Sequence, residues 1–358
     1  MAHVLQTTID LDAIAHNTAA IKRHTSAKLM CVVKADAYNH GVERCVPVMD
    51  AHGADAFGVA TFAEARRVRA LTDKPVLAWL WSLGEDVPEG IEVGVPTRAH
   101  MQLLIDAPSA HTVYLMVDTG MHRSGLDEED WDEAFRTAKE AEDAGRLRVK
   151  GLMSHLACAD DPADPYTDVQ AKAFRRAIAL ARRYGLEVAC NHLANSPATW
   201  TRPDLHFEMI RPGVSLYGLE PVLDLDHGLT PAMEWSAPVV AVKRMRRGEA
   251  TSYARTWAAP ADGFSAVVPA GYADGVQRTW QDALEIEIGG RTYPQVGRVS
   301  MDQIVVWLGD NEAQVAPGDT AVIFGDATAL AERAGTINYE VVCAPRGRTQ
   351  RAYRGGER

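Results

Sequence analysis

The sequence predicts an α/β protein with an N-terminal (β/α)8 barrel of the TIM type over residues 1–230 and a mostly-β domain over residues 231–358. From residue 28 to about 217, short apolar runs alternate with segments of helical spacing, as in parallel strands joined by helices. After about Pro231 the runs are short and β-branched, with no convincing helix between most of them. The first few residues of the chain are candidates to pair with this second domain.

The predicted barrel strands are short apolar runs, as expected for strands buried on both faces. They are residues 29–33, 56–60, 76–81, 92–95, 112–117, 149–155, 187–192 and 209–216. Helical spacing predicts helices over residues 61–71, 130–144 and 168–184, with Gly185 as the C-cap of the last. The fourth strand is the least apolar, so the count alone leaves an open doubly wound sheet as an alternative.

The predicted strands of the β domain are residues 239–242, 266–269, 284–288, 304–308 and 320–324. Gly289 and Gly290 stand between two runs in the manner of a two-residue hairpin turn. The segment 243–247, rich in Lys and Arg, is interpreted as a solvated face or turn, and residues 346–358 as an arginine-rich C-terminal tail.

Charge and cysteine content narrow the class of protein. The net charge is −11 with both signs interleaved, so no basic stripe indicates nucleic-acid binding. No signal peptide is expected from the N-terminus, and no run approaches the length of a membrane span. The five cysteines form neither a CxxC pair nor a metal-ligand spacing, so we expect no metal site and a reduced, cytoplasmic protein.

Lys34 ends the first buried strand and is the foremost candidate for chemistry. The carboxyl ends of parallel strands are where α/β folds place their active sites. A desolvated lysine amine there could form a Schiff base with pyridoxal phosphate. The alternative is structural: Lys34 extends to the surface or pairs with Asp36.

Polar residues also follow the later barrel strands, namely residues 118–125, Ser154 with His155, residues 191–196 and residues 211–213. Each alone has a structural reading, and a single buried histidine is usually a hydrogen-bonded core residue. Gly213 and Val214 could offer backbone N–H groups to a phosphate, although Arg-Pro-Gly alone is only a turn. The convergence of five strand ends on polar residues favours an active site.

These segments, taken in order with those of the β domain, resemble the alanine racemase family of fold-type III pyridoxal-phosphate enzymes. The resemblance covers nearly the whole chain, in residues 32–41, 117–125, 155–160, 192–196, 209–213, 252–253, 269–275, 296–303 and 336–340. It implies a pyridoxal 5'-phosphate cofactor and an isomerase that interconverts L-alanine and D-alanine. It also implies that the D-alanine supplies cell-wall peptidoglycan.

The resemblance assigns roles residue by residue. Lys34 holds the cofactor and is one base, and Tyr253 is the base on the opposite face. The other implied cofactor contacts are Tyr38, His155, Asn195, Ser196, Arg211, Gly213, Val214 and Tyr339, with Arg211 facing the pyridine nitrogen and His155 bonded to the tyrosine base. Arg123 and the backbone N–H of Met301 contact the substrate carboxylate, and Tyr272, Arg298 and Asp160 lie at the entrance. The implied assembly is a homodimer in which Tyr253 and Met301 are contributed across the interface.

Three positions and one segment depart from the family pattern. Met116 stands where many members carry a modified lysine that orients the arginine matched by Arg123. Ser300 replaces a frequent cysteine, Ala254 a common glycine, and residues 347–351 replace a Tyr-Arg-Val-Pro-Arg segment.

Three other readings remain at this point. One is a racemase of broader specificity that acts on serine or lysine. Another is a cofactor-carrying barrel without catalysis or a related decarboxylase. The last is an aldolase-like barrel with a Schiff-base lysine.

Overall fold

The structure is a computed structural model that describes residues 4–223 and 225–356. Its strands are β1 Gln6–Asp10, β2 Lys28–Val32, β3 Ala56–Val59, β4 Val76–Ala78, β5 Glu92–Val95, β6 His111–Met116, β7 Leu147–Met153, β8 Met209–Ile210, β9 Met233–Pro238, β10 Ala241–Met245, β11 Ala250–Thr251, β12 Trp257–Ala258, β13 Gly263–Val268, β14 Glu285–Ile288, β15 Arg291–Val296, β16 Ile304–Gly309, β17 Thr320–Phe324 and β18 Gln350–Arg354. Its α-helices are α1 Leu11–His24, α2 Val42–Ala51, α3 Phe62–Arg69, α4 Arg98–Asp106, α5 Trp131–Asp143, α6 Tyr166–Arg183, α7 Ser196–Thr201, α8 Ala327–Ala334 and α9 Asn338–Cys343. The signal-peptide expectation concerns a segment whose residues 1–3 lie outside the described part of the chain.

The chain divides into two compact units. One unit is Ile14–Leu229, and the other joins the chain before Ile14 to the chain from Thr230 onward. Within the second unit, β1 lies between β9 and β18 in one sheet.

In the unit Ile14–Leu229, seven parallel strands form a curled sheet in the order β7-β6-β5-β4-β3-β2-β8. This confirms the predicted barrel architecture and excludes the open doubly wound sheet. The barrel interior is filled by one side chain from most strands, together with Cys190: Met30, Ala56, Leu77, Tyr114, Met153, Cys190 and Met209, with Trp79 and Met116 packed against them. Such a filled interior leaves the carboxyl ends of the strands as the place for a site.

The predicted strand 187–192 is wrong as a regular strand. It makes one bridge, between Met153 and His192, although its backbone bonds to β7 and to the residue before β8. The reason is Asn191, whose Oδ1 accepts the Leu152 N–H at 3.0 Å and whose Nδ2 donates to the Val188 carbonyl at 2.7 Å. A side chain therefore replaces part of the backbone ladder. The last predicted strand, 209–216, is also too long, since only Met209–Ile210 is extended.

The three predicted helices are confirmed as α3, α5 and α6, each within a few residues. Thr61 and Glu64 form a capping box at the start of α3. Gly185, at φ 90°, follows α6 and donates its N–H to the Arg182 carbonyl, as a residue after a helix end does. Helices α1, α2, α4 and α7 were not predicted.

The second unit is built on a nine-stranded sheet in the order β10-β13-β16-β15-β14-β17-β9-β1-β18. The hairpin at Gly289 and Gly290 is confirmed, and both residues have positive φ, at 60° and 74°. The predicted strand 239–242 is misplaced, because it spans the junction of β9 and β10. Helices α8 and α9 were not predicted.

The interpretation of residues 346–358 as a tail is wrong for most of the segment. Residues Gln350–Arg354 form β18, which pairs in parallel with β1, and the Gln350 N–H donates to the Leu5 carbonyl at 3.0 Å. Backbone pairing outweighs the basic composition that suggested a solvated end. In the described residues, no helix has the length and apolar character needed to cross a membrane.

Candidate active site

Lys34 follows β2 after one residue, Val33, and is half-buried. The five residues after it, Ala35 to Asn39, all have φ between 52° and 65°, so they form one turn of left-handed helix. This conformation costs about 1–2 kcal/mol for each residue that is not glycine. It persists only where the surroundings fix it, and such strain is concentrated at functional sites.

Contacts from neighbouring helices hold this left-handed turn. The Ala35 N–H donates to Glu64 Oε1 at 2.7 Å. Asp36 Oδ1 accepts from the Val42 N–H at 3.1 Å and from Arg67 at 2.9 Å. Glu64 thus both caps α3 and anchors the segment that follows Lys34.

The left-handed turn includes Tyr38, whose buried side chain packs against Gly213. A Cβ at Gly213 would lie 2.3 Å from the Tyr38 hydroxyl, so only glycine fits there. The Gly213 N–H donates to Ser196 Oγ at 2.8 Å. Val214 follows as the first residue of a 3-10 turn, and the first N–H groups of such a turn have no partner within it.

Ser196 begins α7, and Asn195 caps that helix by accepting the Ala198 N–H at 3.2 Å. The loop before α7 and the loop after β8 thus meet at Ser196 and Gly213. Together with Tyr38 they form a small polar cradle of hydroxyl and N–H groups. Such a cradle suits a phosphate.

Arg211 is buried beside this cradle, with 6% of its surface exposed. It donates to His192 Nδ1 at 2.7 Å, to the His192 carbonyl at 2.8 Å and to the Ser154 carbonyl at 2.6 Å. Within the described residues it has no carboxylate partner. Burial lowers the pKa of Arg211 to about 10, so it stays protonated near neutral pH.

His155 adjoins Arg211, whose Nη2 lies 3.4 Å from His155 Nδ1. Burial, followed by the positive charges of Arg211, Arg123 and Lys34 in that order, lowers the pKa of His155 to about 3. These three cations therefore act on one histidine, which keeps it neutral. Three sequence-predicted groups, Lys34, Arg123 and Arg211, are brought into one region.

His192 lies in one of the matching motifs, but the resemblance assigns it no role. Its Nδ1 accepts from Arg211, so the other ring nitrogen carries its proton. Burial, followed by Arg211, holds the pKa of His192 well below its usual value. Its position at the end of a barrel strand was the signal that could have identified it.

Arg123 lies exposed on the loop after β6. Asp118 shapes that loop, because its Oδ1 accepts the N–H groups of Gly120, Met121 and His122 at 2.7, 3.0 and 3.2 Å. Met116, one of the positions that departs from the family pattern, packs against the barrel core. Asp160 lies exposed on the loop after β7.

In the second unit, Tyr253, Tyr272 and Arg298 line one cavity of about 340 Å³. Arg278 lines the same cavity and was not predicted, because nothing in its local sequence distinguishes it. Tyr253 is 70% exposed and lies between Ser252 and Ala254, which have φ of 64° and 60°.

The Ser252 hydroxyl fixes this turn by donating to the Arg298 carbonyl at 2.6 Å. Met301 is also exposed, and Tyr339 lies in α9. The described residues contain no cluster of His, Cys, Asp or Glu that could hold a metal ion.

The geometry of the barrel unit is typical of barrel enzymes that bind an anionic ligand beside a lysine. Comparison with known proteins gives the family. Residues 9–221 match "Alanine racemase, N-terminal domain" and residues 232–353 match "Alanine racemase, C-terminal domain". The chain belongs to the alanine racemase family, whose members are pyridoxal-phosphate-dependent isomerases.

Similar proteins include an alanine racemase of Corynebacterium efficiens, 57% identical over 366 residues that cover 99% of each chain. The crystal structure of alanine racemase from Corynebacterium glutamicum is 51% identical, with a TM-score of 0.90 over 99% of this chain and 100% of that one. A Bartonella henselae alanine racemase with covalently bound pyridoxal phosphate has a TM-score of 0.90 at 25% identity, over 99% of this chain and 100% of that one.

Proposed function

We propose that this protein is an alanine racemase that interconverts L-alanine and D-alanine and supplies D-alanine for peptidoglycan. The observation that carries the proposal is Lys34 at the carboxyl end of β2, in one region with His155 and Arg211. The relatives described above are alanine racemases. They give no support to a serine or lysine racemase.

The residues of the barrel unit fit pyridoxal phosphate. The cradle of Tyr38, Ser196 and Gly213 has room only for glycine at position 213. The buried positive charge of Arg211, which has no carboxylate partner in the described residues, favours an anion nearby. We assign Lys34 as the covalent attachment point, and Tyr38, Asn195, Ser196, Gly213, Val214 and Tyr339 to the phosphate side. When bound, the cofactor supplies an electron sink for the pair left at Cα after proton removal.

We assign the ring-nitrogen side of the cofactor to Arg211. A protonated guanidinium can donate a hydrogen bond to the ring nitrogen but has no acceptor for a proton carried by that nitrogen. Its Nη1 and Nη2 are held by His192 and the Ser154 carbonyl, so the group has little freedom to turn. Arg211 therefore leaves the electron sink weaker than an acidic partner would, which favours return of the proton to Cα.

Inversion at Cα requires removal of a proton on one face and its return on the other, hence two bases. We assign them to Lys34 and Tyr253. Arg123 and the Met301 backbone N–H would bind the substrate carboxylate, and Tyr272, Arg298 and Asp160 would line the entrance. His155 would hydrogen-bond the tyrosine base as a neutral ring.

We propose that the protein works as a cytoplasmic homodimer, without a nucleic-acid partner, in which Tyr253 and Met301 complete the site of the other subunit. Support comes from their exposure, which is 70% for Tyr253 and 52% for Met301. A catalytic tyrosine needs a desolvated setting, and a partner surface would supply one. In this assembly the domains would be residues 1–230 and 231–358, with the first few residues of the chain paired with the second domain.

The Lys34→Ala variant tests the assignment. We expect it to lose both the long-wavelength absorption of the bound cofactor and the racemisation of alanine. The matched control is Lys28→Ala, at the exposed start of the same strand, which should keep both. A Lys34→Ala protein that retained the absorption band and the activity would overturn the proposal.

A further inference from the structure

Three segments of the second unit meet around the carboxylate of Asp274. They are residues 271–276, which carry Tyr272; residues 300–303, which carry Met301; and residues 344–348, which precede β18. The Tyr272 N–H donates to the Ser300 carbonyl, and the Ala273 N–H donates to the Met301 carbonyl, both at 3.0 Å. The entrance tyrosine and the proposed carboxylate-binding residue are thus tied by backbone bonds.

Arg348 joins the third segment to the other two. Its Nε and Nη2 donate to the two oxygens of Asp274 at 2.8 and 2.7 Å, which is a bidentate pair. Its Nη1 donates to Asp302 Oδ1 at 2.9 Å. One guanidinium therefore bridges the loop of Tyr272 and the residue next to Met301.

Asp274 has no exposed surface, so its charge depends on these partners. Besides Arg348, its Oδ2 accepts the Gly271 N–H at 3.1 Å. Burial raises the pKa of Asp274, but the hydrogen bonds from Arg348 and Gly271 outweigh it and hold the pKa below the usual value. Asp274 is accordingly a fixed anion.

The backbone of residues 344–348 is also in close contact with the loop of Tyr272. The Arg346 N–H donates to the Asp274 carbonyl at 2.8 Å. A Cβ at Gly347 would lie 2.4 Å from the Ala273 carbonyl oxygen. Residues 347–351 depart from the family pattern but keep its first arginine as Arg348. The contacts of Arg348 with Asp274 and Asp302 are a structural reason for keeping that residue.

We propose that Arg348 is a positioning residue for substrate binding, which fixes the Met301 N–H and Tyr272 relative to each other through Asp302 and Asp274. This inference rests on the proposed role of Met301 in binding the substrate carboxylate. An N–H that binds the carboxylate before and during the reaction contributes uniform binding. Its displacement therefore raises KM and leaves kcat nearly unchanged.

The variants Arg348→Lys and Asp302→Asn test the proposal in the holoenzyme. A lysine cannot bridge three carboxylate oxygens, so we expect KM for alanine to rise about tenfold in Arg348→Lys. The Arg348–Asp302 contact is exposed, so Asp302→Asn should raise KM only about two- to fivefold. Propionate, which has the carboxylate but no amine, should become a weaker competitive inhibitor, with the larger loss in Arg348→Lys and the smaller in Asp302→Asn. We expect kcat and the cofactor absorption to stay within about twofold of the parent in both variants.

The matched control is Arg354→Ala, which removes another exposed arginine–aspartate pair in the same C-terminal segment, to Asp10 at 2.9 Å. It should leave KM unchanged. If the parent enzyme racemises alanine and the two test variants keep its KM and its propionate inhibition, the positioning role is wrong while the function stands. A fall in kcat with KM unchanged would also overturn it. If the parent does not racemise alanine, the proposed function itself fails.

Discussion

Arg211 is the residue whose setting most constrains the chemistry. A buried cation usually has a carboxylate partner, and within the described residues this one has imidazole and carbonyl acceptors instead. Its charge is felt by His155 and His192, which it helps to keep neutral. A neutral His155 can donate or accept a hydrogen bond without adding a further positive charge to the site. The site around Arg211 thus combines one permanent cation with two neutral imidazole rings.

The neutral histidines predict a pH dependence of stability. The pKa of His155 is about 3 in the folded chain against an ordinary value of 6.5, so the unfolded chain binds more protons between these values. The free energy of unfolding of the apoprotein should therefore fall as pH drops below about 6.5. Each such histidine contributes a slope of up to about 1.4 kcal/mol per pH unit. Urea unfolding of His155→Asn between pH 5 and 8 should show a shallower slope.

The control for this measurement is His122→Asn, since the His122 side chain is 79% exposed. It should keep the slope of the parent protein. An unchanged slope in His155→Asn would show that His155 is already able to take up a proton in the folded state.

At the scale of elements, the sequence allowed the alternation of strands and helices to be predicted, and with it the strand end that carries Lys34. The left-handed turn of residues 35–39 could not be predicted from the sequence, because alanine has no local preference for positive φ. Contacts to Glu64 and Arg67 impose this conformation. The irregular segment at Asn191 and the strand β18 were not predicted for the same reason. Both depend on partners distant in sequence.

The fit between the left-handed turn and the loop after β8 gives a second prediction. In Gly213→Ala the new Cβ would lie 2.3 Å from the Tyr38 hydroxyl, so the cradle must open. We expect the dissociation constant for pyridoxal phosphate to rise about tenfold or more, since steric overlap in a packed site typically costs 1–3 kcal/mol. Fluorescence titration of the apoprotein measures it.

Gly325→Ala is the matched control, because no atom lies within 4 Å of the position where its Cβ would be placed. Cofactor affinity there should equal that of the parent protein. Unchanged affinity in Gly213→Ala would place the phosphate elsewhere.

At the scale of the whole molecule, the chain carries candidate groups in two units. Lys34, Arg123, His155 and Arg211 were predicted from strand ends and motifs, and the barrel unit brings them into one region. The second unit carries Tyr253, Tyr272 and Arg298 around one cavity. Arg278 and Arg348 were not predicted as site residues, because only the folded chain shows what they contact. The proposed homodimer would join these two sets of residues.

The central claim is that Lys34 and Tyr253 act as two bases on opposite faces of the substrate. Exchange of the alanine Cα–H in heavy water by the Tyr253→Phe holoenzyme tests it most directly, with Tyr184→Phe, whose hydroxyl bonds Asp132, as the control. If the claim is right, Tyr253→Phe exchanges the Cα–H of one enantiomer only, without racemising it, because Lys34 still serves its own face. Exchange of both enantiomers at comparable rates, or continued racemisation, would contradict the two-base account.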